Sequence, residues 1–245
     1  MIAAEHKKRR IHMPHSRPRS ANRRFLSILL PTVVLLLVCL GAFRTLFPNS
    51  SGHNKSAFSS LTDLPWNLVL VNQTHAIPDD WSSDLTTLAN GTQVDSRIYP
   101  QLQQMFDDMR AASIYPEVAS GYRSAEKQQS LMDEKIEAFM EQGESRAQAE
   151  QDAQLWVNPV GYSEHQTGLA VDINADGIHS TGTQVYSWLS VHAWEYGFIL
   201  RYPEGKTALT GTDYEPWHYR YVGKDAAKAI HDQGICLEEY LGVSQ

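Results

Sequence analysis

The chain has 245 residues, of which 42% are hydrophobic and 10% aromatic. This composition suits one or two globular domains and excludes a chain that is disordered throughout. The formal net charge of −7 conceals an uneven distribution, because from residue 45 onward 12 Lys and Arg face 27 Asp and Glu, a net charge of −15. A domain this acidic lacks the basic face that nucleic acid requires, so nucleic-acid partners are excluded.

A basic tail and an apolar segment open the chain. Residues 1–24 carry eight Lys and Arg and one acidic residue, Glu5. The 19 residues at 25–43 (FLSILLPTVVLLLVCLGAF) then contain no charge, and this length is sufficient for a helix that crosses the hydrocarbon core. Because basic residues precede the segment, we predict a single-pass cell-membrane protein with a cytoplasmic N-terminus and its C-terminal domain outside.

A cleaved signal peptide is the alternative interpretation of residues 25–43. The segment is longer than a usual signal-peptide core, and no small-x-small cleavage site precedes Arg44. An uncleaved anchor is therefore favoured, followed by a flexible stalk at 44–63 that is rich in Ser, Asn and Gly.

The domain at 64–245 contains one cysteine, Cys236, which excludes an internal disulfide and a zinc site built from thiolates.

In the first part of this domain, short apolar runs alternate with amphipathic segments. Four apolar residues between Leu102 and Met109 recur at helical spacing, which predicts a helix whose apolar stripe faces the core. Ser124 and Gly143 stand at positions typical of helix caps. We predict, in chain order, a strand at 66–72, a polar loop to residue 95, a helix at 97–112, a strand at 114–120 and a helix at 124–143.

The second part of the domain continues in the same manner. Its predicted elements are a strand at 169–174, a helix at 183–196, strands at 196–200 and 217–223, and a helix at 226–234. Short strands mixed with helices, several without the spacing of parallel crossovers, predict an α+β fold. Its centre is expected to be a small antiparallel sheet flanked by helices.

Asp172 lies in the stretch SEHQTGLAVD (163–172), between apolar neighbours in a predicted strand. A carboxylate buried in this way is costly unless it is paired, hydrogen-bonded or bound to a metal. A structural Asp that caps a turn or accepts backbone N–H groups is the other interpretation. Two further stretches are candidates for chemistry: SGYRS (120–124) and YEPWHYRY (214–221).

The residue types in these stretches match the needs of a zinc hydrolase. Such a site takes about three protein ligands, an open position for water and a nearby carboxylate that moves protons. His165, Asp172 and His218 can supply the ligands, with Glu215 as general base. Pro216 favours a bend that lets Glu215 and His218 reach one site.

Two other kinds of site are less consistent with the sequence. DINADG (172–177) matches the start of a calcium loop, but its twelfth position is Thr183 where a bidentate Glu is required. A Ser-His-Asp triad could use Ser120 or Ser163, yet neither lies in a Gly-x-Ser-x-Gly elbow.

Together SGYRS, S-x-H-x-x-G-x-A-x-D and E-P-W-H resemble the zinc D-alanyl-D-alanine carboxypeptidases of the VanY type. These are D-Ala-D-Ala peptidases that share a fold with Hedgehog signalling domains, and the resemblance covers residues 64–242. It implies Zn²⁺ on His165, Asp172 and His218, with Glu215 activating the attacking water. It also implies that substrate is contacted by Arg123, Gln128 and Ser163.

Arg123 and Tyr122 have additional expected roles. The forked cation of Arg123 suits a carboxylate or a developing oxyanion, which makes it a candidate catalytic residue; an ordinary ion pair is the alternative. Tyr122 is expected to contact substrate at the wall of the cleft, although aromatic packing in the core would explain it equally well.

The resemblance implies a membrane-anchored carboxypeptidase that removes the terminal D-Ala from peptidoglycan stem peptides. Two alternatives keep the zinc site and change the substrate: an L,D-carboxypeptidase acting on tetrapeptides and a D,D-dipeptidase. A third is an inactive module that binds the cell wall. The sequence leaves the oligomeric state open.

Overall fold

The computed structural model describes residues 60–61 and 64–243. The predicted basic tail and membrane segment, at 1–24 and 25–43, lie outside the described residues, as does most of the stalk. Within the described part of the chain, no helix has both the length and the apolar character needed to cross a membrane. The membrane anchor therefore stays a prediction.

The described chain contains a two-stranded hairpin, a four-stranded antiparallel sheet and flanking helices. The strands are β1 (Leu85–Thr87), β2 (Gln93–Asp95), β3 (Pro116–Ser120), β4 (Ala170–Ala175), β5 (Phe198–Leu200) and β6 (His218–Tyr221). The helices are α1 (Tyr99–Ala111), α2 (Ala125–Glu141), α3 (Arg146–Gln154), α4 (Gly182–His192), α5 (Thr207–Thr210), α6 (Lys224–Gln233) and α7 (Leu237–Leu241). The predicted α+β fold with a small antiparallel sheet and flanking helices is confirmed.

The larger sheet has the strand order β3-β4-β6-β5, with every neighbouring pair antiparallel. The central strand β4 is buried on both faces from Ala170 to Ile173, which explains its nearly continuous apolar sequence. Val171 and Ile173 pack into the main core together with the apolar stripe of α1. Asp172, between them, is therefore held on a rigid and buried strand.

Most predicted helices agree with the structure to within a few residues. The helix predicted at 97–112 is α1, and its stripe from Leu102 to Met109 is buried. Ser124 caps α2 as predicted, since its side chain accepts a hydrogen bond from the backbone N–H of Lys127. Correct cap and stripe signals fix where these helices begin and which face they bury.

The strand predicted at 66–72 is wrong. Trp66–Leu68 is a 3₁₀ turn, and Asn72 forms an isolated bridge with His75 instead of belonging to a strand. Arg220 donates to the carbonyl oxygens of Asn67 and Val69, at 3.2 and 2.8 Å. These contacts span about 150 residues, so the apolar pattern of WNLVLVN could not indicate them.

Several further elements are absent from the sequence-based prediction, namely the β1–β2 hairpin and the helices α3, α5 and α7. The supposed loop before residue 95 contains the β1–β2 hairpin, whose turn includes Asn90 and Gly91 with φ of 85° at the glycine. An Asn-Gly pair is a strong hairpin signal, and it was available in the sequence. The helix α3 was also missed, because its polar sequence buries only Ala149 and Ala153.

Candidate active site

The register of β4 against β6 brings two candidate ligands together. Asp172 and His218 are paired residues in this antiparallel ladder, so both side chains project from the same face of the sheet. His218 is the first residue of β6. The turn before it is closed by a hydrogen bond of 3.1 Å from the His218 N–H to the Glu215 carbonyl, with Pro216 at a position that favours such a turn.

His165 reaches the same place from a 3₁₀ turn, Glu164–Thr167, that precedes β4. The turn ends at Gly168, which has φ of 73°; a side chain there would also meet the backbone nitrogen of Asp95 at 2.9 Å. Glycine therefore permits the reversal of the chain between the two candidate ligands.

The carbonyl oxygen of Gly121 fixes the ring of His165, at 2.8 Å from its Nδ1. A β-bulge between Val118 and Ser120 in β3 shifts the register just before this contact. Gly121 itself is sterically required, because an added Cβ would lie 2.2 Å from the carbonyl oxygen of Gln93. With Nδ1 bonded to Gly121, Nε2 is the nitrogen of His165 that faces the site.

The three candidate ligands converge on one oxygen. Oδ1 of Asp172 lies 3.3 Å from Nε2 of His165 and 3.2 Å from Nδ1 of His218. It is buried and has no hydrogen-bond partner. One ligand atom from each residue lies within 4.8 Å of the others. Two imidazole nitrogens and an unsatisfied carboxylate oxygen at this spacing fit a tetrahedral zinc site with one open position.

Charged neighbours hold Asp172 in its ionised form. Its second oxygen, Oδ2, accepts a hydrogen bond of 2.7 Å from Nη2 of Arg123. Burial alone would raise the pKa of Asp172, but His165 and His218 overcome that effect and hold it well below its usual value. The carboxylate is thus ready to act as a ligand across the neutral pH range.

Glu215 lies beside the cluster without belonging to it. Its Oε2 is 3.6 Å from Nδ1 of His218, and its side chain is 8% exposed. Burial raises the pKa of Glu215 to about 7, with His218 opposing the rise. A carboxylate with a pKa near neutrality can both accept and return a proton at physiological pH.

The cluster opens into a cavity of about 190 Å³. Gln128 and Ser163 line it together with Arg123, and Nε2 of Gln128 donates to the backbone oxygen of Asn158 at 2.6 Å. Tyr122 instead lines a neighbouring cavity of about 430 Å³, which shares Arg123 with the first. The structure therefore gathers all the candidate site residues except Tyr122 around one space.

Arg123 has more structural contacts than the sequence indicated. Besides Asp172, its guanidinium donates to Ser120 at 2.8 Å and to Gln128 at 3.5 Å. Its first role is therefore to orient a candidate ligand, and the long contact with Gln128 leaves Nη1 weakly satisfied.

Several residues of the cavity were not singled out from the sequence. They come from distant segments that carry no motif: Leu131, Lys135, Trp156, Val157, Asn158, Tyr202 and Thr212. Among the ion pairs of the described residues, none includes Lys135. Its ammonium group lies 5.2 Å from the ring centre of Trp156. A lysine without a carboxylate partner can form a charge-assisted hydrogen bond with an anionic group.

Residues 91–224 match the family model described as VanY, D-alanyl-D-alanine carboxypeptidase. The chain belongs to this family. It is 54% identical over 180 residues to a D-alanyl-D-alanine carboxypeptidase of Enterococcus faecalis (strain ATCC 700802 / V583), a match that covers 74% of this chain and 67% of that relative. The predicted family is therefore confirmed.

Two solved structures are similar to the chain over its described domain. The first is VanYB in complex with D-alanine-D-alanine, with 54% identity, a TM-score of 0.72, and coverage of 74% of this chain and 100% of the other. The second is a glutamate-to-alanine variant of the vancomycin resistance D,D-pentapeptidase VanY in complex with Zn(II). Its identity is 55%, its TM-score 0.71, and the match covers 72% of this chain and 99% of the other.

These relatives bear on the predicted zinc hydrolase. The Zn(II) complex of the second relative is consistent with the cluster of three candidate metal ligands in this chain. The predicted class, a zinc metallopeptidase of the carboxypeptidase type, is confirmed for the family to which the chain belongs. The calcium-loop alternative also loses its basis, since Asp176 accepts hydrogen bonds from the backbone N–H groups of Ile178, His179 and Ser180.

Proposed function

We propose that this protein removes the C-terminal D-Ala from peptidoglycan stem peptides that end in D-Ala-D-Ala. The observation that carries the proposal is the convergence of His165 and His218 on the unsatisfied Oδ1 of Asp172, with Glu215 alongside. The D,D-specific names of the relatives at 54 and 55% identity favour this substrate over a tetrapeptide.

His165, Asp172 and His218 would hold the metal. Zinc, when bound, supplies a Lewis acid that polarises a carbonyl and makes water acidic enough to attack near neutral pH. Glu215 accepts the proton of the attacking water and returns it to the amine that leaves with the terminal residue. Burial of these side chains strengthens the electrostatic interactions among them.

A carboxypeptidase must also recognise the free carboxylate at the end of its substrate. Arg123 and Lys135 are cations that line the cavity; of these two, only Arg123 forms an ion pair with a described residue. We assign the terminal carboxylate to this end of the cavity, with Gln128 and Ser163 as further polar contacts. The weakly bonded Nη1 of Arg123 can also stabilise negative charge that develops on the scissile carbonyl oxygen.

The proposed substrate determines on which side of the membrane the domain has to lie. Peptidoglycan is outside the cell membrane, so we propose that residues 25–43 anchor the domain at the outer surface, as their charge pattern suggests. Protease added to intact cells is expected to digest the domain. Complete protection of the domain, in cells where a control outer-surface protein is digested, would contradict this orientation.

Mass analysis of defined muropeptides incubated with the purified chain and zinc tests the proposed specificity. We expect a pentapeptide ending in D-Ala-D-Ala to lose one alanine, while the corresponding tetrapeptide and free D-Ala-D-Ala stay intact. Faster cleavage of the tetrapeptide would indicate an L,D-carboxypeptidase, and faster cleavage of the free dipeptide a dipeptidase. If a zinc-loaded protein cleaves none of the three, a non-catalytic wall-binding role replaces the proposal.

A further inference from the structure

Four charged side chains lie together beneath the ligand cluster: Glu164, Arg201, Arg220 and Glu238. Each has 0% side-chain exposure. Two carboxylates face two guanidiniums, so the group is electrically balanced. Because apolar residues of similar volume often stabilise a protein as well as a buried ion pair does, stability alone does not explain why charges occupy these positions.

The two oxygens of Glu164 have different partners. Oε1 accepts hydrogen bonds from Nε of Arg201 at 2.7 Å and from Nη1 of Arg220 at 2.8 Å. Oε2 accepts from neither arginine and lies 3.4 Å from Nε2 of His218. One oxygen is thus held by the arginines, and the other is directed at a candidate metal ligand.

The two ring nitrogens of His218 also face different partners. Nδ1 faces the cluster, at 3.2 Å from Oδ1 of Asp172, whereas Nε2 faces Glu164. A carboxylate oxygen only accepts hydrogen bonds, so it favours a proton on Nε2. The lone pair of Nδ1 is then free for a metal. In His165 the two nitrogens have the opposite roles, since its Nδ1 lies against the Gly121 carbonyl and its Nε2 faces the cluster.

We propose that Glu164 is a positioning residue that fixes the ring and the tautomer of His218, so that Nδ1 is the metal-binding atom. Arg201 and Arg220 hold the carboxylate of Glu164 in the required orientation. Arg201 is held in turn by Glu238, which accepts from its Nη1 and Nη2 at 2.9 and 2.6 Å. This inference rests on the proposed metal site, and Glu164 is the member of the ion network that contacts a candidate metal ligand.

The substitution Glu164→Gln tests this role sharply. The side-chain oxygen of Gln has to satisfy the two arginines, so the NH₂ group replaces Oε2 opposite His218. Two donors would then face each other, and the pair is relieved only if the proton of His218 moves to Nδ1, where it blocks metal binding. Loss of a contact of this kind costs about tenfold to a hundredfold in metal affinity.

Glu238→Gln is the matched control. It also removes one buried carboxylate from Arg201, yet none of the contacts of Glu238 is to a candidate ligand. In a zinc titration against a chromophoric chelator, we expect Glu164→Gln to bind zinc about tenfold to a hundredfold more weakly than the wild type. We expect Glu238→Gln to retain wild-type affinity while both variants lose thermal stability.

Equal loss of affinity in both variants would overturn the positioning role, because it would trace the effect to damage of the buried ion network. Wild-type affinity in a folded Glu164→Gln variant would overturn it as well. A wild-type protein that binds no zinc would instead contradict the proposed function, so the two failures are distinguishable.

A measurement on the wild-type protein covers the case in which Glu164→Gln does not fold. In ¹⁵N-histidine NMR spectra of the zinc-loaded full chain, we expect the His218 proton on Nε2 and a coordinated Nδ1. A proton on Nδ1 of His218, with Nε2 coordinated, would overturn the proposal without any substitution.

Discussion

Glu215→Gln is expected to lower the turnover of a D-Ala-D-Ala pentapeptide by about a hundredfold or more, while zinc affinity stays close to that of the wild type. Gln has nearly the same size as Glu and lacks the basicity that proton transfer requires. Glu215 lies 3.6 Å from a candidate ligand and outside the three-residue cluster, so its loss removes no ligand bond. Turnover and bound zinc measured on the same preparation check both parts of this prediction.

Glu204→Gln provides the control, because Glu204 is exposed and does not line the cavity. It should have normal turnover and normal zinc. An active Glu215→Gln variant with normal zinc would contradict the role of Glu215 as base. If zinc and activity were lost together, Glu215 would be a fourth ligand rather than a proton carrier.

Replacing any one of His165, Asp172 and His218 with Ala is expected to weaken zinc binding by more than about a hundredfold. Residues that only support a metal ligand typically cost up to about a hundredfold in affinity, and the loss of a ligand itself should cost more. Each substitution removes one of the three candidate ligands, and among the described residues no fourth residue belongs to this cluster. Chelator competition gives the affinities, and metal analysis after dialysis gives the occupancy.

His179→Ala is the matched control for the histidine variants. His179 also contacts a carboxylate, at 2.6 Å from Asp176, but it is exposed and remote from the cavity. It should retain full zinc occupancy. Full occupancy in all three ligand variants would remove the proposed site altogether.

The convergence of the three candidate ligands could be predicted because chemical and structural signals coincide in short stretches. Asp172 lies between two apolar residues in a run that has to be buried, and a buried carboxylate needs a partner. Gly168, with φ of 73°, allows the chain to reverse between Asp172 and His165. These are local properties, and local properties are what a sequence shows directly.

The rest of the site depends on contacts between distant segments. Lys135 and Tyr202 line the cavity from elements that carry no motif, and only the packing of the chain brings them there. Glu164 lies inside a motif, yet its contacts are with Arg201, Arg220 and His218, between 37 and 56 residues away. A single sequence contains no signal for such pairs, because charge alone does not identify the partner.

The same limitation explains the wrong strand at 66–72. Its continuous apolar run at 68–71 resembles a strand, but Arg220 donates hydrogen bonds to the carbonyl oxygens of Asn67 and Val69. Tertiary contacts thereby override local propensity. The β1–β2 hairpin is a different case, since the Asn90-Gly91 pair was a usable signal within a polar stretch.

Zinc reconstitution of the purified full chain tests the central claim most directly. The protein is treated with a chelator, zinc is returned in steps, and bound metal and pentapeptide hydrolysis are measured at each step. Our account predicts no hydrolysis by the metal-free protein, followed by a rise in proportion to bound zinc that ends at one ion per chain. Undiminished hydrolysis by a protein shown to contain no metal would contradict it.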